Sequence, residues 1–125
     1  MADYRVLLVD DEEEFVSALS ERLMLRGIEV ESALNGEEAL AIMMEKEFEV
    51  VILDVMMPGL GGLEVLKQIK TTHANTQVIL LTGHGATREG IEGMRLGAFD
   101  YLIKPVDIEE MLEKMKAAAN TAPTS

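Results

Sequence analysis

The chain has 125 residues, 48% of them hydrophobic but only 4% aromatic, the size of one domain whose core must be filled by aliphatic and Met side chains. A formal charge of −12, from 23 acidic and 11 basic residues, repels nucleic acid and anionic membrane surfaces, so direct nucleic-acid binding is not expected. Having no cysteine, the chain excludes disulfides, thiolate metal sites and a cysteine nucleophile; lacking both a secretory pattern at its start and any apolar run near the ~20 residues that span a bilayer, it is expected to be cytoplasmic, with no membrane insertion.

In chain order, the first apolar run covers residues 5–9 and reads as a strand buried on both faces. A helical stripe of Phe15, Leu19 and Leu23 follows, and Gly27 stands where that helix should stop. The second run, 28–32, alternates because Glu29 and Glu31 interrupt it, as on an edge strand. Ala39, Leu40 and Met43 form the next helical stripe, before a continuously apolar run at 50–53. Leu63, Leu66 and Ile69 form the third helical stripe, and residues 77–81 the fourth strand. The helix expected over about 86–96 is the weakest, since Gly90 and Gly93 each cost about 1 kcal/mol relative to Ala. A strand at 100–103 precedes a helix with Ile108, Met111, Leu112 and Met115 spaced i, i+3, i+4, i+7. The domain is read over 1–119, with 120–125, which includes Pro123, as a frayed terminus or the start of a linker. Strand and helix alternating five times with short connections imply an α/β fold, a doubly wound parallel sheet in three layers.

In such a sheet ligands bind beyond the carboxyl ends of the strands. Here those ends carry Asp10 and Asp11, Asp54, Thr82, and Lys104 followed by Pro105. A single Asp in such a place, Asp11 for example, is as well explained as a helix N-cap; four polar strand ends converging are not. Three carboxylates sum to −3, Lys104 reduces this to −2, and one divalent cation neutralises the remainder. All-oxygen donors favour a hard ion such as Mg²⁺. A carboxylate beside such an ion and an ammonium can attack phosphorus, and the central position of Asp54 makes it the candidate nucleophile, with Thr82 offering a hydroxyl to a phosphoryl oxygen.

The sequence resembles the CheY-like receiver domains of two-component response regulators over essentially its whole length. The residues that carry the likeness are Val9, Asp10, Asp11 and Glu12; the segment from Ile52 through Asp54 and Met56 to Gly59; Leu81, Thr82 and Gly83; and Asp100 and Tyr101 through Ile103 to Lys104 and Pro105. The resemblance implies a flavodoxin-like (βα)5 sheet in the order 2-1-3-4-5. It implies Asp54 as phosphoacceptor, Asp10 and Asp11 as metal-site acids, the Met56 backbone carbonyl as a further Mg²⁺ ligand, and Thr82 and Lys104 as the phosphoryl-contacting pair. It also implies Tyr101 as a switch aromatic and a cis peptide between Lys104 and Pro105. The partners implied are a histidine kinase or phosphotransfer protein, a downstream effector domain or protein, and a second copy in a phosphorylation-dependent dimer. The output surface would be the fourth helix, fifth strand and fifth helix. Such a receiver phosphorylates itself and has no separate turnover substrate, so it is not counted as an enzyme.

One departure is that Gly61 and Gly62 stand where the family commonly has an Asp before the glycine, which removes a cap from the third helix and makes that connection more mobile. His84, near Thr82, and His73, in a polar loop, read as exposed histidines. Three rivals are weighed. A flavodoxin-like cofactor carrier would need amides and hydroxyls after the first strand, where this chain has Asp10, Asp11, Glu12, Glu13 and Glu14. A Mg²⁺-dependent phosphatase of the aspartyl-phosphate kind would use Asp10 as nucleophile. An unphosphorylated interaction module is opposed by the intact set of site residues.

Overall fold

The computed structural model describes residues 4–57, 59–83 and 88–121. Five strands, β1 (Arg5–Val9), β2 (Glu29–Ala33), β3 (Val50–Asp54), β4 (Gln77–Thr82) and β5 (Asp100–Ile103), alternate with helices α1 (Glu13–Met24), α2 (Gly36–Glu45), α3 (Gly62–Thr72), α4 (Arg88–Arg95) and α5 (Ile108–Thr121). All strand pairings are parallel, in the order β2-β1-β3-β4-β5, which places the alternating second strand at an edge as its pattern indicates. Relative to the sequence-based bounds, β2 lies one residue later, β3 and β4 each run one residue further to take in Asp54 and Thr82, and α5 continues through Thr121. The expected start of the fourth helix at 86, together with His84, Pro58 and Pro123, lies outside the described residues.

Alternation along each strand builds two cores. Leu7, Val9, Val51, Leu53, Val78 and Leu80 face α2 and α3, whose Ala39, Met43, Val65, Leu66 and Ile69 are buried with them. Val6, Leu8, Val50, Ile52, Ile79 and Leu81 face α1 and α5, against Leu19, Leu23, Met111 and Met115. The helices bury stripes at 3.6-residue spacing, so every central strand is covered twice.

Helix ends explain several residues. Gly27 adopts φ 79°, and the bonds Gly27 N–H to Met24 and Ile28 N–H to Leu23 form a Schellman closure of α1. The same pair recurs after α4, with Gly97 at φ 109°. Glu12, not Asp11, is the residue that precedes α1, and its side chain makes no cap. His73 is not simply a solvated loop residue: its Nε2 donates to the Met43 carbonyl at 2.9 Å, tying the end of α3 to that of α2. A carbonyl only accepts, so Nε2 carries the proton in that bond.

Three glycines have packing reasons that sequence patterning does not carry. A Cβ on Gly62 would lie 2.4 Å from the Asp54 carbonyl oxygen and 2.6 Å from Val55 Cα, so α3 presses its first turn onto the backbone of the strand end that bears Asp54. A Cβ on Gly93 would meet Leu80 Cδ1 at 2.2 Å, so this glycine lets α4 approach β4 and is not merely a weak point in the helix. One on Gly36 would meet Val65 Cγ2 at 2.5 Å. Gly61, by contrast, has ordinary φ and open space, and it begins α3 without any side-chain cap.

Two neighbouring substitutions should therefore act in opposite directions. Gly62→Ala is expected to destabilise by about 1–3 kcal/mol, because backbone cannot yield as a side chain can. Gly61→Ser should stabilise by about 0.5–1 kcal/mol, by capping α3 and restricting the unfolded chain. Urea unfolding of the two variants with an unchanged m-value checks both.

Candidate functional site

The register of the central strands determines which side chains meet. Val9 pairs with Leu53 across β1 and β3, so the residues that follow, Asp10 and Asp54, emerge side by side. Counting in twos, Asp10 continues the row of Val6 and Leu8, and Asp54 that of Val50 and Ile52, both on the face covered by α1 and α5. Lys104 follows Leu102 on the same row, and its backbone N–H bonds the Thr82 carbonyl at 2.9 Å. The Lys104–Pro105 peptide is cis.

Asp10, Asp54 and Thr82 are buried, whereas Asp11 and Met56 are exposed. Carboxylate oxygens of Asp10, Asp11 and Asp54 lie within 4.8 Å of one another. Asp10 Oδ1 accepts the Glu12 N–H at 2.9 Å, and Asp54 Oδ1 accepts the Met56 N–H at 3.0 Å; these two local turns fix the carboxyl planes. Lys104 Nζ lies 2.7 Å from Asp10 Oδ2, in an ion pair not aligned as a hydrogen bond, and 3.8 Å from Asp54 Oδ2. It donates to Glu12 Oε1 at 2.6 Å and lies 4.6 Å from the centre of the Phe15 ring. A cleft of about 410 Å³ opens over Asp11, Asp54, Met56, Thr82 and Lys104. The structure thus brings together Asp10, Asp11, Asp54, Thr82 and Lys104, with Met56 at the rim. Tyr101 stands apart from them, half-buried in β5 against the α2–α3 core, with its carbonyl held by Lys114 Nζ at 2.8 Å. Sequence reasoning missed Glu12 as a partner of Lys104; a contact spanning 92 residues leaves no local signal.

The electrostatics follow from this crowding. Burial pushes the Asp54 carboxyl above its ordinary range; the Met56 N–H opposes this, Asp10 and Asp11 add to it, and Lys104 offsets part. For Lys104, burial acts to lower the ammonium's pKa, but the close carboxylates of Asp10 and Glu12 and the charge of Asp54 outweigh it, and the group is held above the usual lysine value. The donor set suits a hard divalent cation: all the ligating atoms are oxygens, and Asp10 Oδ2 is buried without a hydrogen bond.

Ionising Asp54 inside the fold opposes stability. Because its folded pKa is raised, the penalty is absent below the unfolded carboxylate range and appears as pH rises through the folded value. In chelator at pH 7, Asp54→Asn should raise the Tm by a few degrees, on the order of 1 kcal/mol, and the gain should vanish near pH 3. A thermal melt at both pH values checks the sign.

Comparison with known proteins bears on this constellation. The family model of the response regulator receiver domain matches residues 6–116. Over 113 residues the chain is 42% identical to the uncharacterized transcriptional regulatory protein YkoG of Bacillus subtilis, covering 90% of this chain and 50% of that one. It is 41% identical to the transcriptional regulatory protein CpxR of Klebsiella pneumoniae, with 90% and 48% covered, so the chain spans about half the length of these curated relatives. Among solved structures, a response regulator receiver domain protein from Clostridium thermocellum superposes with a TM-score of 0.88 at 36% identity, over 93% of this chain and 94% of that one. The receiver domain of the Francisella response regulator 1452 gives 0.88 at 30%, over 97% and 100%.

Proposed function

The chain belongs to the response regulator receiver family of two-component signalling, and within it we propose that Asp54 takes a phosphoryl group from a kinase phosphohistidine, in the cytoplasm, with Asp10, Asp11 and the Met56 carbonyl holding Mg²⁺. One observation carries this reading: a buried Asp54 grouped with two further carboxylates and with a lysine ammonium 3.8 Å away. In the transfer, an Asp54 oxygen attacks phosphorus as the P–N bond to the donor imidazole breaks. The imidazole, protonated at its other nitrogen, leaves neutral with the electron pair. When bound, the cation supplies positive charge to the phosphoryl oxygens. Lys104 supplies an ammonium and Thr82 a hydroxyl on the side facing β4 and β5. The group transferred stays on the protein until hydrolysis, so the domain acts on itself and does not turn over a separate substrate.

The acyl phosphate replaces the single carboxylate charge with about −2 spread over three acceptor oxygens, enough to draw Thr82 and Lys104 into charge-assisted bonds. Thr82 ends β4, and Leu80, two residues back, is where Gly93 of α4 is pressed. Movement of the strand end is thereby felt in α4. That helix, β5 with Tyr101, and α5 form the proposed output surface, which carries the exposed Ile91, Met94 and Ile103. It faces a downstream effector or a second phosphorylated copy. The regulatory names of the half-matched relatives support an appended output domain or a separate target.

Incubation with acetyl phosphate and Mg²⁺ should label the protein once, and Asp54→Asn should abolish labelling, whereas retained labelling of that variant contradicts the assignment. Amide exchange across residues 82–101 should change on phosphorylation, and unchanged exchange there would remove the output surface from the account.

A further inference from the structure

The lysine that this reading assigns to the phosphoryl group is already engaged elsewhere. Lys104 Nζ lies 2.6 Å from Glu12 Oε1 and 2.7 Å from Asp10 Oδ2, with the Phe15 ring 4.6 Å away, while Asp54 Oδ2 is 3.8 Å off, beyond hydrogen-bond reach. The two close carboxylates differ in freedom. Asp10 is fully buried, with Oδ1 fixed by the Glu12 N–H, so it has nowhere to go. The Glu12 side chain is 63% exposed against 21% for that of Lys104, and α1 does not use it as a cap. Its backbone is therefore anchored while its carboxylate is free to swing into water.

We propose that Glu12 is a positioning residue for phosphorylation: it holds the Lys104 ammonium on the α1 side of the crevice and competes for it with the phosphoryl group on Asp54. The inference rests on the reading of Asp54 as phosphoacceptor. Lys104 has three N–H donors and no other acidic side chain within an ion-pair distance among the described residues. An ammonium drawn toward a phosphoryl oxygen on Asp54 gives up attraction to the carboxylates that hold it now, and of these two close contacts only Glu12 is exposed and able to let go. Glu12 thereby favours the unphosphorylated state, and its removal should favour the phosphorylated one. Because the pair is partly exposed, the effect should be modest, about threefold to fivefold.

The test is Glu12→Gln in the whole chain. Asp54 labelling is timed with two small donors of different charge, acetyl phosphate and phosphoramidate. Lys104 side-chain ammonium exchange is followed separately by NMR in chelator, without metal or donor. Release of Lys104 predicts that labelling accelerates about threefold to fivefold by the same factor for both donors, and that the ammonium exchanges several-fold faster. Acceleration confined to the more highly charged acetyl phosphate would make Glu12 a mere repulsive surface charge and overturn the proposal. Unaltered ammonium exchange, or unaltered labelling rates with Asp54 still the labelled residue, would overturn it too while leaving the phosphoacceptor intact. If the unsubstituted protein carries no label on Asp54, the underlying reading fails and this inference fails with it.

Discussion

Parallel pairing of β1 with β3, Val9 opposite Leu53, obliges Asp10 and Asp54 to leave the sheet as neighbours, and the repulsion between their carboxylates must be met by something nearby. In this fold the nearest permanent positive charge is Lys104, delivered by β5 to the same face. The rest of the site is arranged around that imbalance. Two backbone N–H groups, those of Glu12 and Met56, each hold one carboxylate oxygen, and the outer oxygens are left to the lysine and to a cation. One ammonium cannot neutralise three carboxylates, which is why the crevice is suited to take up both a divalent ion and, in the proposed reaction, a group that replaces a carboxylate charge with one better matched to Lys104 and Thr82.

The same constraint links the site to the layers that cover it. Asp10 and Asp54 continue the rows that build the α1–α5 core, and the lysine beside them is held on that face by Glu12, just before α1, and by the Phe15 ring within it. On the opposite face, α3 begins directly on the Asp54 backbone at Gly62, and α4 approaches β4 at Gly93. Close approach of these two helices to the ends of β3 and β4 leaves little slack on that face.

Much of this was legible in the sequence, for identifiable reasons. The five apolar runs, the alternating Glu29 and Glu31 of an edge strand, and the polar residues closing strands 1, 3, 4 and 5 are local patterns, and the topology rule for parallel sheets turns local strand ends into one crevice. Gly27 was readable because a Schellman closure leaves its mark within a few residues. What escaped was long-range. Glu12 reads as one more acid in a run of acids until β5 brings Lys104 to it. His73 reads as a loop histidine until the end of α2 places the Met43 carbonyl beside it. Gly62 reads only as the second of two glycines before a helix and Gly93 as a helix weakness, whereas both are defined by the backbone or side chain that a Cβ would strike. One-residue extensions of β3 and β4 were missed because Asp54 and Thr82 look like punctuation when they are the last rungs of the ladder.

The proposed chemistry depends on which carboxylate carries phosphate, since Asp10 and Asp54 are both buried at adjacent strand ends and both lie near Lys104. Borohydride reduction of the phosphorylated protein converts an aspartyl phosphate to homoserine, and peptide mass mapping then locates it. Homoserine at position 54 alone is the result expected here; homoserine at position 10 would contradict the account and make the first strand, not the third, the seat of the chemistry.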